Sequence, residues 1–213
     1  MTRQLLLTEA RALADHLADL YGAKIITHDD PGAIVVSAML DFVAPSIPGG
    51  VDVIDMIHSR GMGVSVTTPS PFGTFELLSY AATTTAIDLA DTGVHEATHA
   101  RWIRSVGGLQ TLKDYLGSRE LRALREGHAF AAGMAVRYIL TGVLPDGERE
   151  AASMAGSLYL LGSDDRELGR QIILSTIDAL REGALPPLAL VHDALAWLRA
   201  NAPDCIAVEA YRG

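Results

Sequence analysis

After Thr83 the chain is cut by Gly and Pro into five stretches of helical periodicity, and this punctuation restricts the fold more than any other feature. The stretches predict helices over residues 85–106, 118–140, 148–161, 164–181 and 187–200, with breaks at Gly107-Gly108, residues 142–147, Gly162 and residues 183–187. Ahead of them, Leu6, Leu13, Leu17 and Leu20 recur with Ala10 and Ala14 at helical spacing and stop at Gly22, which predicts a first helix over 3–21. Between these regions the sequence changes character. Residues 23–79 carry most of the prolines and many β-branched residues, in the runs KIITHDD, GAIVVSAML, GVDVIDMIHSRG and MGVSVTTPSPFGTFELLSY. Turn residues at Asp29, Asp30, Pro31 and Gly32, and again over 69–73, separate them, so the region predicts a small sheet of three or four strands. With no repeat, low-complexity tract or linker, the simplest expectation is one α+β domain over residues 1–213.

Composition narrows the function. The 26 acidic residues exceed the 17 Lys and Arg, for a net charge of −9, which argues against nucleic acid or an anionic membrane as the main partner. Cys205 is the one cysteine, so neither an intramolecular disulfide nor a thiolate-rich metal site can form, and a reducing, cytoplasmic setting is expected. Glu9, Asp15 and Asp19 interrupt the first apolar stretch, which reads as an amphipathic helix rather than a signal peptide. Nor does any apolar run reach the about 20 residues of a membrane span. A chain of 213 residues, 49% hydrophobic, buries an adequate core without help from a metal, so a metal site here would point to function.

The second predicted helix contains Thr92-Gly93-Val94-His95-Glu96-Ala97-Thr98-His99-Ala100-Arg101, an HExxH sequence. Positions i and i+4 share one face of a helix, so His95 and His99 can turn their imidazoles toward a single Zn2+. Glu96 points about 100° away from His95 around the helix, within reach of a water on the metal but outside its ligand set. Zinc lowers the pKa of such a water toward about 7, Glu96 accepts the proton, and the hydroxide attacks a polarised carbonyl. A buried helix with two hydrogen-bonded core histidines is the plain alternative.

These residues resemble the zincin metalloprotease clan. Thr92 stands three positions before the first His, and Gly93, Ala97, Thr98 and Ala100 are uncharged, as the clan's extended pattern asks; Arg101 departs from it, where a hydrophobic residue is usual. The metzincin continuation is excluded by Trp102 and Ser105, which occupy the positions of its glycine and third histidine. In the gluzincin pattern a glutamate from a later helix completes the metal set, and residues 118–140 offer Glu120 and Glu126. Glu126 begins EGHAFAAGMAV, where an unpaired carboxylate on an otherwise apolar segment would be costly, and Glu126 followed by Ala129 is similar to the third-ligand pattern. Glu120 sits among Arg119, Arg122 and Arg125, as a solvated first turn does. His128 is open as a third ligand, as an oxyanion stabiliser or as a core histidine; Tyr138, Tyr159 and His192 are further oxyanion candidates. Asp88 and Asp91 read as a solvated helix face rather than as partners of the metal-binding histidines.

The resemblance implies a zincin-like α+β fold: a helix and small N-terminal mixed β-sheet in 1–84, metal-binding helices in 85–142 and a helical part in 143–213. It also implies an edge strand that pairs with an extended substrate, and TFELLSYAATTT stands in that place, although it reads equally as a hairpin strand packed on the motif helix. The implied activity is that of a zinc-dependent hydrolase, most simply a peptidase, with Zn2+ as cofactor and a peptide or protein as substrate. The alternative is a zincin-like metal-binding domain that acts by binding proteins without cleaving them. No other catalytic signature competes, since Gly61-Met62-Gly63 lacks the third glycine of a dinucleotide loop and neither GxxxxGK[ST] nor GxSxG occurs.

Overall fold

A computed structural model describes residues 2–27, 63–69, 75–81, 85–107, 110, 111, 114, 117–153 and 163–212. The helices are α1 (Leu7–Asp19), α2 (Ala86–Val106), α3 (Arg119–Thr141), α4 (Gly147–Ser153), α5 (Ser163–Arg181) and α6 (Ala189–Asn201). Two short 3-10 turns, Pro203–Cys205 and Glu209–Tyr211, follow α6. The strands are β1 (Ala23–Thr27), β2 (Gly63–Pro69) and β3 (Phe75–Ala81). The expected runs GAIVVSAML and GVDVIDMIHSRG, residues 154–161 of the expected fourth helix, and Tyr159 lie outside the described residues.

The two longest helices start where their sequence supplies a cap. The Thr85 hydroxyl accepts from the Asp88 N–H ahead of α2, and the Ser118 hydroxyl accepts from the Leu121 N–H ahead of α3. Gly142, at φ 70°, ends α3 in the left-handed conformation that favours glycine. Helix α1 buries Ala10, Leu13, Ala14, Leu17 and Ala18 along one face, and that face packs on α2. A Cβ at Gly93 would stand 2.6 Å from the Ala14 Cβ, so a small residue is required where the two helices cross. Helix α2 is covered on its other side by α3, which in turn packs on α5.

The main core joins α1, α2, α3 and α6 through Leu13, Leu17, Val94, Ile139, Leu195 and Leu198. The C-terminal segment closes it: Cys205, Ile206 and Tyr211 are buried, the Ala207 N–H donates to the Ile139 carbonyl at 2.8 Å, and the Arg3 N–H donates to the Asp204 carbonyl at 3.0 Å. No described helix is long and apolar enough to cross a membrane.

The expected α+β, zincin-like class with a small N-terminal mixed sheet as a structural layer is corrected: the described protein is mainly helical. Its six α-helices run to 13, 21, 23, 7, 19 and 13 residues, against strands of 5, 7 and 7. The physical reason is where burial occurs. The main core is built by helix packing on helix, with α1, α2, α3 and α6 supplying its large buried side chains. The strands are ordered β1-β3-β2, with β1 parallel and β2 antiparallel to β3. This order also overturns the edge-strand expectation for TFELLSY, because β3 is the central strand, paired with β2 over Phe75–Ala81 and with β1 over Leu77–Ala81.

Candidate metal centre

The HExxH residues lie in the middle of α2, and Glu126 lies in the second turn of α3. Contacts between the helices run in opposite sequence order: Trp102 meets Arg125, His95 and His99 meet Glu126, His95 meets Phe130, and Asp91 meets Arg137. The helices are therefore antiparallel. One face of α2 (Asp91, His95, His99, at i, i+4 and i+8) opposes one face of α3 (Glu126, Phe130, Gly133, Arg137).

Three side chains converge at the centre of this seam. The Nε2 atoms of His95 and His99 are 3.2 Å apart, and Glu126 Oε2 lies 3.6 Å from the first and 3.5 Å from the second. Glu126 is buried at 3% exposure, whereas the two imidazoles retain about 15% of their surface, so the group's remaining exposure is on its histidine side. His95, His99 and Glu126 thus form a group that could hold a metal ion, two imidazole nitrogens and one carboxylate oxygen.

Electrostatics tie the three together. Burial alone would lower the His99 pKa, but the Glu126 carboxylate, with the Glu96 charge adding to it, raises it to about 9. Burial would likewise raise the Glu126 pKa, yet His99 and His95 outweigh it and hold the carboxyl well below its ordinary range. Without a metal, the pair is an imidazolium and a carboxylate, which is how a buried acid is tolerated on an apolar helix.

The remaining expected residues separate clearly. Glu96 is buried, at 2% exposure, next to the group, and its charge acts on His99. Glu120 is exposed in the first turn of α3 and does not belong to the group. His128 also stands outside it: two residues beyond Glu126, it is turned about 200° around the helix. Its imidazole is part-buried and burial lowers its pKa, offset in part by the Leu124 backbone. Tyr138 meets Tyr211 edge-on with ring centroids 6.3 Å apart, and His192 Nε2 lies 3.2 Å from the Pro186 carbonyl, so both make contacts elsewhere.

Sequence reasoning missed four residues around the group. Phe130 stands edge-on to His95, with centroids 5.0 Å apart. Asp91, expected on a solvated face, is largely buried and ion-paired with Arg137, and burial raises its pKa against the pull of Arg137 and His95. Arg125 donates to Asp114 at 2.8 Å and to the Thr111 carbonyl at 3.1 Å, with its guanidinium 5.3 Å from the Trp102 ring centroid. The signal for Asp91 was its i, i+4, i+8 spacing with the two histidines; for Phe130 and Arg137 it was their fall on the Glu126 face. No protein-family model, curated protein or solved structure matches this chain.

Proposed function

We propose that the protein is a zinc-dependent hydrolase, most simply a peptidase, in which His95, His99 and Glu126 hold the metal and Glu96 is the general base. The observation that carries this reading is the spacing of the three ligand atoms. Donors about 2.0–2.1 Å from a tetrahedral zinc stand about 3.3–3.4 Å apart, whereas neighbouring donors of an octahedral ion at that bond length stand about 2.8–3.0 Å apart. The separations here are 3.2, 3.5 and 3.6 Å, closer to the tetrahedral case. The donor set supports zinc as well: nitrogen and carboxylate without thiolate, with three protein ligands, is the composition of catalytic rather than structural sites.

A zinc ion held there supplies Lewis acidity, making water acidic near neutral pH and polarising a carbonyl. The chain's own residues do the rest. Glu126, closed off from solvent, contributes the one anionic ligand. Glu96 follows His95 on the same turn and takes the proton from the attacking water, then returns it to the leaving amine. The histidine side of the group, where exposure remains, is the side a substrate carbonyl approaches. Phe130 fixes the His95 ring plane by edge contact.

Metal content by emission spectroscopy and hydrolysis of casein or a peptide library, on the wild type and Glu96→Gln, test this reading. Stoichiometric zinc in both proteins, with hydrolysis in the wild type alone, is expected. Zinc bound by a wild type that cleaves nothing would favour a metal-binding protein that acts through partners, and no metal at all would end both readings.

A further inference from the structure

We propose that the Asp91–Arg137 ion pair is a positioning element that sets the geometry of the metal centre by fixing the register of α2 against α3. The inference rests on the metal reading above and adds to it residues that touch neither the ion nor a substrate. Two ligands come from α2 and the third from α3, so a slide of one helix along the other would move Glu126 away from both histidines at once. Something must hold that register.

Asp91 precedes His95 by one helical turn on the same face, and Arg137 follows Glu126 by eleven residues, about three turns, also on the same face. Their side chains close on one another across the seam. Arg137 also reaches Glu150 of α4 at 3.5 Å, which anchors the guanidinium from a third helix. The fit is specific in space. A Cβ built on Gly133 would stand 2.0 Å from Asp91 Oδ1 and 3.0 Å from the Asp91 carbonyl oxygen, so the carboxylate lies against the bare backbone of α3. The pair is therefore lodged at one depth along the seam. At the far end Arg125, next to Glu126, is held by Asp114, the Thr111 carbonyl and the Trp102 ring. The metal group lies between these two arginine anchorages.

The test uses full-length, metal-stripped protein titrated with Co2+, whose ligand-field bands report coordination geometry. Asp91→Asn, nearly isosteric, and Arg137→Gln are expected to raise the Co2+ dissociation constant about 10–100-fold, the range typical of groups that orient metal ligands, and to alter the bands. Arg137→Lys should recover part of the affinity. Asp88→Asn removes an equal charge from the same helix, but from an exposed carboxylate 4.0 Å from the same guanidinium, and should change neither readout. If Arg137→Gln does not fold, Asp91→Asn and Gly133→Ala, whose new methyl displaces the carboxylate, carry the test. Wild-type bands and affinity in Asp91→Asn and Gly133→Ala, whatever their melting temperatures, would overturn the proposal. A wild type that takes up no Co2+ would instead remove the metal reading, and this inference with it.

Discussion

Replacing Glu126 with Gln tests the core of the site without any assumption about substrate. In the metal-free protein the His99 pKa is lifted to about 9 from an ordinary value of 6.5, with Glu126 the main cause that raises it. Between those two pH values the folded protein binds a proton that the unfolded chain has released. Stability from this source is therefore complete below about pH 6.5 and is lost as pH rises through 9. At about 1.4 kcal/mol per pKa unit the loss is on the order of 3 kcal/mol. Glu126 acts with the opposite sign: its lowered pKa contributes stability above its ordinary value of 4.5 that is lost as pH falls below it. In Glu126→Gln the main raising influence is gone, and burial, aided by Arg125, works against the smaller pull of Glu96 on His99, so the proton is no longer retained up to pH 9. Urea unfolding of chelator-treated wild type and variant at pH 6.5 and pH 9 isolates the effect, because groups common to both cancel in the difference. The wild type should lose on the order of 3 kcal/mol more than the variant across this interval. Parallel pH dependences in the two proteins would refute the coupling of His99 to Glu126.

Other consequences can be checked as directly. Zinc binding must expel the His99 proton, so apparent zinc affinity should rise as pH increases from 6 toward 9, measured by competition with a chromophoric chelator. Zinc at about 100 times its dissociation constant should stabilise the protein by about 2.7 kcal/mol, seen as a higher thermal midpoint that EDTA reverses. Leu17→Ala removes a fully buried side chain of the main core and should cost about 2–5 kcal/mol in urea unfolding, while the zinc dissociation constant at pH 7 stays the same. Gly93→Ala sets a methyl 2.6 Å from the Ala14 Cβ; overpacking by about 1–3 kcal/mol should outweigh the about 1 kcal/mol gained in helix propensity, giving a net loss of stability.

What the sequence disclosed depended on the range of the interaction. The His95–His99 pairing was legible because an i, i+4 spacing fixes a shared face whatever the tertiary structure. Glu126 was legible for a different reason: a carboxylate beginning an apolar run needs a partner, and the structure supplies two imidazoles at 3.6 and 3.5 Å. Asp91 was misread because its partner, Arg137, stands 46 positions later in the chain, and only the antiparallel register of α2 and α3 brings them together. Helix ends near Thr85, Ser118 and Gly142 were legible from periodicity and Gly breaks, and the structure closes them with local caps. Sheet order did not, since nothing within TFELLSY distinguishes a central strand from an edge, and the weight of helix-on-helix burial was underestimated beside the strand-forming character of residues 23–79.

The most direct test of the account is zinc K-edge X-ray absorption on the purified protein. It should show one zinc per chain with about four nitrogen or oxygen neighbours at about 2.0–2.1 Å, the imidazole scattering of two histidines, and no sulfur shell. Absence of stoichiometric zinc, or a zinc surrounded by six oxygens without histidine scattering, would contradict a catalytic metal centre at His95, His99 and Glu126.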